Sequence, residues 1–111
     1  MSVAAVVTYR PGSVGTSYLP VATEETFRRT WLPLAEAAGL TLVPRFAEGV
    51  VIEPGQYAVL DAELSTLQAD AAATVADAAE LEQLLARAGE LSALVRQLAT
   101  RRNDVAELYI G

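Results

Sequence analysis

The segment "ADAAATVADAAE", residues 69–80, decides how the C-terminal half of the chain folds. From Gln56 onward there is no proline, and Gly89 is the only glycine before the chain end, so the region reads as helix. Two apolar stripes run through it. Tyr57, Leu60, Leu64, Leu67 and Ala71 follow a 3-4 spacing, and so do Leu81, Leu84, Ala88, Leu91, Val95 and Leu98. Extending the first stripe predicts apolar residues at 85, 92 and 99, yet position 92 is serine and the stronger second stripe is displaced. One straight helix cannot turn both stripes to the same core. A break within residues 72–77 resolves the mismatch, and Asp77 followed by Glu80 has the form of a capping box with Asp in place of Ser or Thr. The expectation is a helical hairpin; the alternative is one long helix broken at Gly89.

Outward from this segment, "DVAELYIG" at residues 104–111 alternates Val105, Glu107 and Tyr109 against Ala106, Leu108 and Ile110, the period of a half-buried strand. At the other end, "VAAVVTY", residues 3–9, is a β-branched run bounded by "RPGSVG", and "TSYLPVA", residues 16–22, is a weaker extended segment. Pro20 removes a ladder donor, which places that segment at a sheet edge or outside the sheet. Thr23 is an N-cap, with Glu24 and Glu25 in the first turn where the helix dipole favours negative charge. The helix runs to about Ala38, with Phe27, Trp31, Leu34 and Ala38 on one face and Gly39 as a left-handed stop. Pro33 interrupts it, because its missing N–H leaves the carbonyl of Arg29 unpaired, and one kinked helix is favoured over a helix starting at Thr30. "LTLVPRF", residues 40–46, and "GVVIE", residues 49–53, read as two further strands, with Pro44 marking an edge or bulge. The order β, β, α, β, β, α, α, β gives an α+β fold. Residues 1–111 form a single two-layer domain, with a mostly antiparallel sheet of four to five strands. The kinked N-terminal helix and the C-terminal hairpin pack on one face.

Composition narrows the chemistry. The 111 residues are 52% hydrophobic and 20% charged, enough apolar material for one core. No run approaches the roughly 20 apolar residues that cross a bilayer, and "MSVAAVVTYRP" lacks the basic n-region of a secretory signal, so a cytoplasmic protein with no membrane partner is expected. All eight basic residues are arginine, a bias that suggests a GC-rich bacterial genome. The net charge of -6 repels phosphate backbones, which argues against nucleic acid as a partner. Histidine, cysteine and lysine are absent. That removes Ser-His-Asp and Cys-His triads, disulfides, zinc sites, Schiff bases and P-loop lysines together.

The remaining motifs are weak. "GSVGTS", residues 12–17, has the look of a phosphate-cradling loop but lacks the lysine and the following helix, and reads as a turn. Asp61 and Glu63 are two apart on a helix and do not face each other, so they are no catalytic pair. Asp77, Glu80 and Glu82 belong to a helix start. No EF-hand spacing occurs. No catalytic residue, cofactor or metal ligand is assigned, and the chain is not expected to be an enzyme.

Two functional expectations are left. The first is a small acidic protein-binding module, most concretely an immunity-type protein that neutralises a cognate toxin enzyme, with acidic charge raising the association rate. Its candidate contacts are Arg28, Arg29, Trp31, Tyr18, Tyr57, Asp61 and Glu63, chosen because aromatics and arginine dominate interface hot spots and because the turn carrying Arg28 and Arg29 precedes Pro33. Trp31 is read first as an anchor of the helix on the sheet. The second expectation is a structural or assembly subunit that forms a homodimer through the stripe of its C-terminal helices.

Overall fold

The computed structural model describes residues 2–12 and 16–111. Strand β1, Ser2–Tyr9, pairs antiparallel with β2, Thr16–Thr23, in register from Ser2 opposite Thr23 to Thr8 opposite Thr16. The turn expected at residues 12–17 lies largely outside the described residues. A two-residue strand, β3, Val50–Val51, and the C-terminal strand β4, Val105–Ile110, complete a four-stranded antiparallel sheet in the order β2-β1-β4-β3. Pro20 sits on the outermost strand, where its missing donor leaves no ladder bond unmade.

Two bulges adjust which side chains face inward. Val3 opposes Ala22 and Ala4 opposes Pro20, so Val21 is left without an opposite number and lies buried. Likewise Thr8 opposes Glu107 and Tyr9 opposes Val105, which leaves Ala106 over. The strict alternation read in "DVAELYIG" therefore holds only for its second half. Leu108 and Ile110 face the core, and the bulge returns Val105 to the core side as well.

Helix α1, residues 24–37, starts as expected: Thr23 Oγ1 accepts the N–H of Thr26 at 3.1 Å. The irregularity at Pro33 takes the form of a π turn over Phe27–Trp31, in which the N–H of Leu32 reaches the carbonyl of Phe27. Ordinary α-helix resumes at Leu32–Ala37 with Pro33 in its first turn. The wide turn falls where an α register would press the proline ring against the carbonyl of Arg29. Gly39, at φ 71°, ends the helix.

Residues 40–46 are not the strand their apolar, β-branched character suggests. Val43–Ala47 form a 3-10 turn, and the backbone N–H groups of Leu42 and Val43 are taken by the carboxylate of Glu63 at 3.0 to 3.1 Å. Donors engaged by a side chain cannot also serve a sheet ladder.

The C-terminal helices are α2, Tyr57–Thr74, and α3, Ala78–Ala99, separated by three residues, 75–77. Val75 and Asp77 are extended, which reverses the chain, and Asp77 Oδ1 accepts the N–H of Glu80 at 2.9 Å. Only this half of the expected capping box forms, because the Glu80 side chain turns to Arg29 instead. Both stripes enter one core. Tyr57, Leu60, Leu64, Leu67 and Ala71 on α2, with Leu84, Ala88, Leu91, Val95 and Leu98 on α3, are at most 1% exposed. They join Val3, Ala5 and Val7 of β1 and the aromatic group of Phe27, Trp31 and Phe46, whose neighbouring rings lie 6.0 and 6.1 Å apart. Burying each leucine contributes about 1.5–3 kcal/mol before conformational entropy is charged.

Candidate functional site

The helices cover one face of the sheet, and strand register assigns every residue of the other. Ala5 opposes Ile110 and Val7 opposes Leu108, and all four are fully buried, which marks the helix side. Val6 points the opposite way. It lies between Tyr18 of β2 and Tyr109 of β4, and Tyr109 in turn opposes Val51 of β3. Each of the four strands thus gives one residue to a single cross-sheet row of Tyr18, Val6, Tyr109 and Val51. Tyr18 is 63% exposed, Val51 42% and Tyr109 38%, with Val6 half-buried between them.

Small residues border the row on one side. Ala4 opposes Pro20 and exchanges two backbone hydrogen bonds with Gly111, at 3.2 and 3.0 Å. The Tyr109 ring lies across Gly111 and Gly49, and a methyl group on either glycine would collide with its phenol. On the other side Thr8 stands beside Glu107, the only charged residue that the strand registers place on this face among the described residues. An antiparallel sheet with one wet face ordinarily turns polar residues outward. Here the middle of the face carries Val6, Tyr18, Tyr109, Val51, Ala4 and Pro20, with the polar Ser2, Thr8 and Glu107 towards its two ends.

The seven residues proposed as contacts from the sequence do not converge. Tyr18 alone belongs to the uncovered face. Arg28 bonds Glu24 one turn away at 3.4 Å. Arg29 bridges Glu25 at 3.0 Å and Glu80, with its Nε 3.0 Å from Glu80 Oε1, so the turn ahead of Pro33 is tied to the start of α3 and does not tilt away from the body. That pairing with Glu80 raises the pKa of the guanidinium. Trp31 and Tyr57 are each 1% exposed and belong to the core, so neither offers a contact; Tyr57 was already a member of the first helical stripe. Burial pushes the Tyr57 phenol above its ordinary pKa. Glu63 is buried too, accepting from Leu42, Val43 and the Thr41 hydroxyl, and it acts as the clamp of the 40–47 segment. Asp61 joins α2 to α3 through the Ser92 hydroxyl and through Arg96 Nε at 3.0 Å. The Ser92 hydrogen bond, and then Arg96, hold its carboxyl below the usual aspartate range, the reverse of what a general base near neutral pH requires.

The stripe of α3 proposed as a dimer seam also faces inward, from Leu84 to Leu98, so the C-terminal helices have no free apolar seam there. Tyr109, Val51 and Val6 were missed by the sequence reading. The signal for Tyr109 was present: it alternates with Leu108 and Ile110, so assigning those two to the core puts its ring outside.

Elsewhere the surface carries shallow clefts. One of about 480 Å³ runs between α1 and the 75–77 turn and is lined by Arg29, Pro33, Leu34, Val75, Asp77 and Glu80, its cation already neutralised by its acids. Among the described residues no three acidic side chains converge as a metal site, and no helix is long and apolar enough to cross a membrane. Comparison with protein-family models, with curated proteins and with solved structures gave no significant match.

Proposed function

We propose that this chain is a protein-binding module without catalytic activity, in its most concrete form an immunity-type protein that neutralises a toxin enzyme by direct binding in the bacterial cytoplasm. The observation that carries it is the segregation of the surface: an apolar, nearly uncharged sheet face on one side and an acidic helical layer on the other. Glu36, Asp77 and Glu82 stand exposed on the helical side, outside the ion pairs that engage Arg28, Arg29, Arg87, Arg96 and Arg101 among the described residues. With a net charge of -6, that layer attracts a basic protein and speeds encounter with it.

The test is a titration of the purified chain against the products of its neighbouring genes, at low and at raised salt. Nanomolar binding with an association rate that falls steeply with salt is expected, and Glu82→Lys should slow association while leaving the melting temperature unchanged. Absence of binding to every neighbour's product refutes the immunity form of the proposal.

A further inference from the structure

We infer that the cleft between α1 and the 75–77 turn seats one apolar side chain of a basic partner protein, with arginine or lysine on either side of it meeting the acidic rim. This rests on the binding-module reading and deepens it, by giving the acidic helical layer a point of contact.

The cleft has two chemically distinct parts. Its walls are aliphatic, with Pro33, Leu34 and Ala37 from α1 and Val75 and Ala76 from the turn. Its rim is charged: Glu25 and Glu80 both pair with Arg29, and Asp77 stands beside them. Three carboxylates around one guanidinium leave the rim with two negative charges, so the mouth attracts cations while the walls favour an apolar group. An occupant that matches both parts carries a large apolar side chain next to positive charge.

Thr30 adds an independent observation. The residue is only 8% exposed, it lines the cleft, and its hydroxyl has no hydrogen-bond partner among the described residues. Thr74 and Thr100, by contrast, give their hydroxyls to the carbonyls of Asp70 and Gln97 at 2.6 and 2.7 Å. Among the described residues no fully enclosed side-chain oxygen or nitrogen lacks a partner, so the unpaired Thr30 oxygen opens on the cleft itself. There it can pair with a backbone N–H or C=O beside an inserted side chain. Thr30 also belongs to the π turn of α1, an irregularity that occurs often at functional sites.

Shape selects a protein as the occupant. The cleft holds about 480 Å³ but is shallow, and a free small molecule is held where roughly 70–90% of its surface is covered. A side chain carried on a protein surface brings flanking contacts of its own. A second copy of this chain has the wrong charge, at -6.

The test is an amide chemical-shift titration of the full chain with acetyl-Arg-Leu-Arg-amide. Saturable binding at about 1 mM is expected, with shifts centred on Thr30, Leu34, Ala37, Val75 and Ala76, weakening several-fold as salt rises from about 0.05 M to 0.5 M. Acetyl-Arg-Ala-Arg-amide lacks the large apolar side chain and should bind about tenfold more weakly, while acetyl-Glu-Leu-Glu-amide should not bind. Ala37→Arg, at an exposed helical position, puts bulk and a cation into the cleft and should abolish binding. Val75→Arg is a second variant with the same expected effect, and circular dichroism confirms the native fold of each. Failure of acetyl-Arg-Leu-Arg-amide to saturate by about 10 mM overturns the inference. So do equal affinities for the leucine and alanine peptides, shifts centred elsewhere, or binding that survives in a folded variant. Failure of the immunity reading gives a different pattern. A neighbour's product that binds Ala37→Arg as tightly as the parent overturns the inference and leaves that reading standing, whereas peptide binding in the cleft with no neighbour's product bound does the reverse.

Discussion

Glu63 gives the sharpest test of how this chain holds its shape. Among the described residues, its carboxylate alone accepts from two buried backbone donors, the N–H groups of Leu42 and Val43 at 3.0 to 3.1 Å, and it also accepts from the Thr41 hydroxyl at 3.0 Å. Glu63→Ala leaves both N–H groups unpaired inside the protein, at about 1–3 kcal/mol each, so a loss of about 3–4 kcal/mol is expected. A domain of this size has about 5–15 kcal/mol in total. With a urea dependence of about 2 kcal/mol per M, the unfolding midpoint should fall by about 1.5–2 M. Glu63→Gln preserves the shape and one acceptor oxygen but faces the donors with an amide N–H₂, and should lose about half as much. Hydrogen exchange supplies a local readout: the amides of Leu42 and Val43 should be protected in the parent chain and fast in Glu63→Ala. A Glu63→Ala midpoint within about 0.3 M of the parent, or retained protection at those two amides, refutes the clamp.

Three further outcomes follow from the same structure. The Ser92 hydroxyl, and then Arg96, hold the Asp61 carboxyl below the usual value of about 3.9, so its contribution to stability is present above about pH 4 and disappears as the pH falls through the lower folded-state value. The stability gap between the parent and Ser92→Ala should therefore narrow in acid urea titrations, and a gap independent of pH counts against the assignment. Gly49→Ala meets both a backbone φ of 93° and the Tyr109 phenol, and should cost about 1–3 kcal/mol. In a Tyr109→Ala background the same substitution should cost less, because only the backbone strain remains; equal costs in both backgrounds would show that the ring is not in the way. Asp77→Ala removes the N-cap of α3 and should lower stability by about 1 kcal/mol in thermal melts, with no change if the Asp77 Oδ1 bond to Glu80 is absent in solution.

The helical hairpin was legible because the two leucine stripes are out of phase, and a straight rod cannot satisfy both. The edge position of β2 was legible in Pro20, and the start of α1 in Thr23. The 40–46 segment was not legible, because Leu40, Leu42, Val43 and Phe46 have the composition of a strand whether or not they form one. What decides its form is a carboxylate 20 to 21 residues further along the chain, and local pattern carries no trace of so distant a partner. The contact residues suffered from a related ambiguity. Trp31, Tyr57 and Glu63 were proposed from residue type, which cannot separate a ring or a carboxylate outside the core from one inside. Tyr57 could have been assigned correctly by giving its place in the Leu60, Leu64 and Leu67 stripe priority over its chemistry. The bulge at Ala106 hid the inward position of Val105, whereas the alternation of Tyr109 with Leu108 and Ile110 lies beyond it and was legible.

The clamp and the uncovered face are connected. Because Glu63 holds the backbone of residues 42 and 43, that segment cannot add a fifth strand, and it turns Val43 and Phe46 inward instead, where Phe46 packs beside Phe27. The sheet consequently ends at Val50–Val51, with Val51 at the outer end of the exposed row. A fifth strand beyond it would widen the outward face and add another row of side chains to cover. The helices cannot supply that cover from within the chain, since both faces of α2 and α3 are already assigned: the leucine stripes to the core, and Asp70, Glu82 and Glu90 to the side away from it. A narrow sheet with one apolar face left over is thus a direct outcome of where one buried carboxylate draws the backbone, and the surface available for association follows from the same contact that shapes the core.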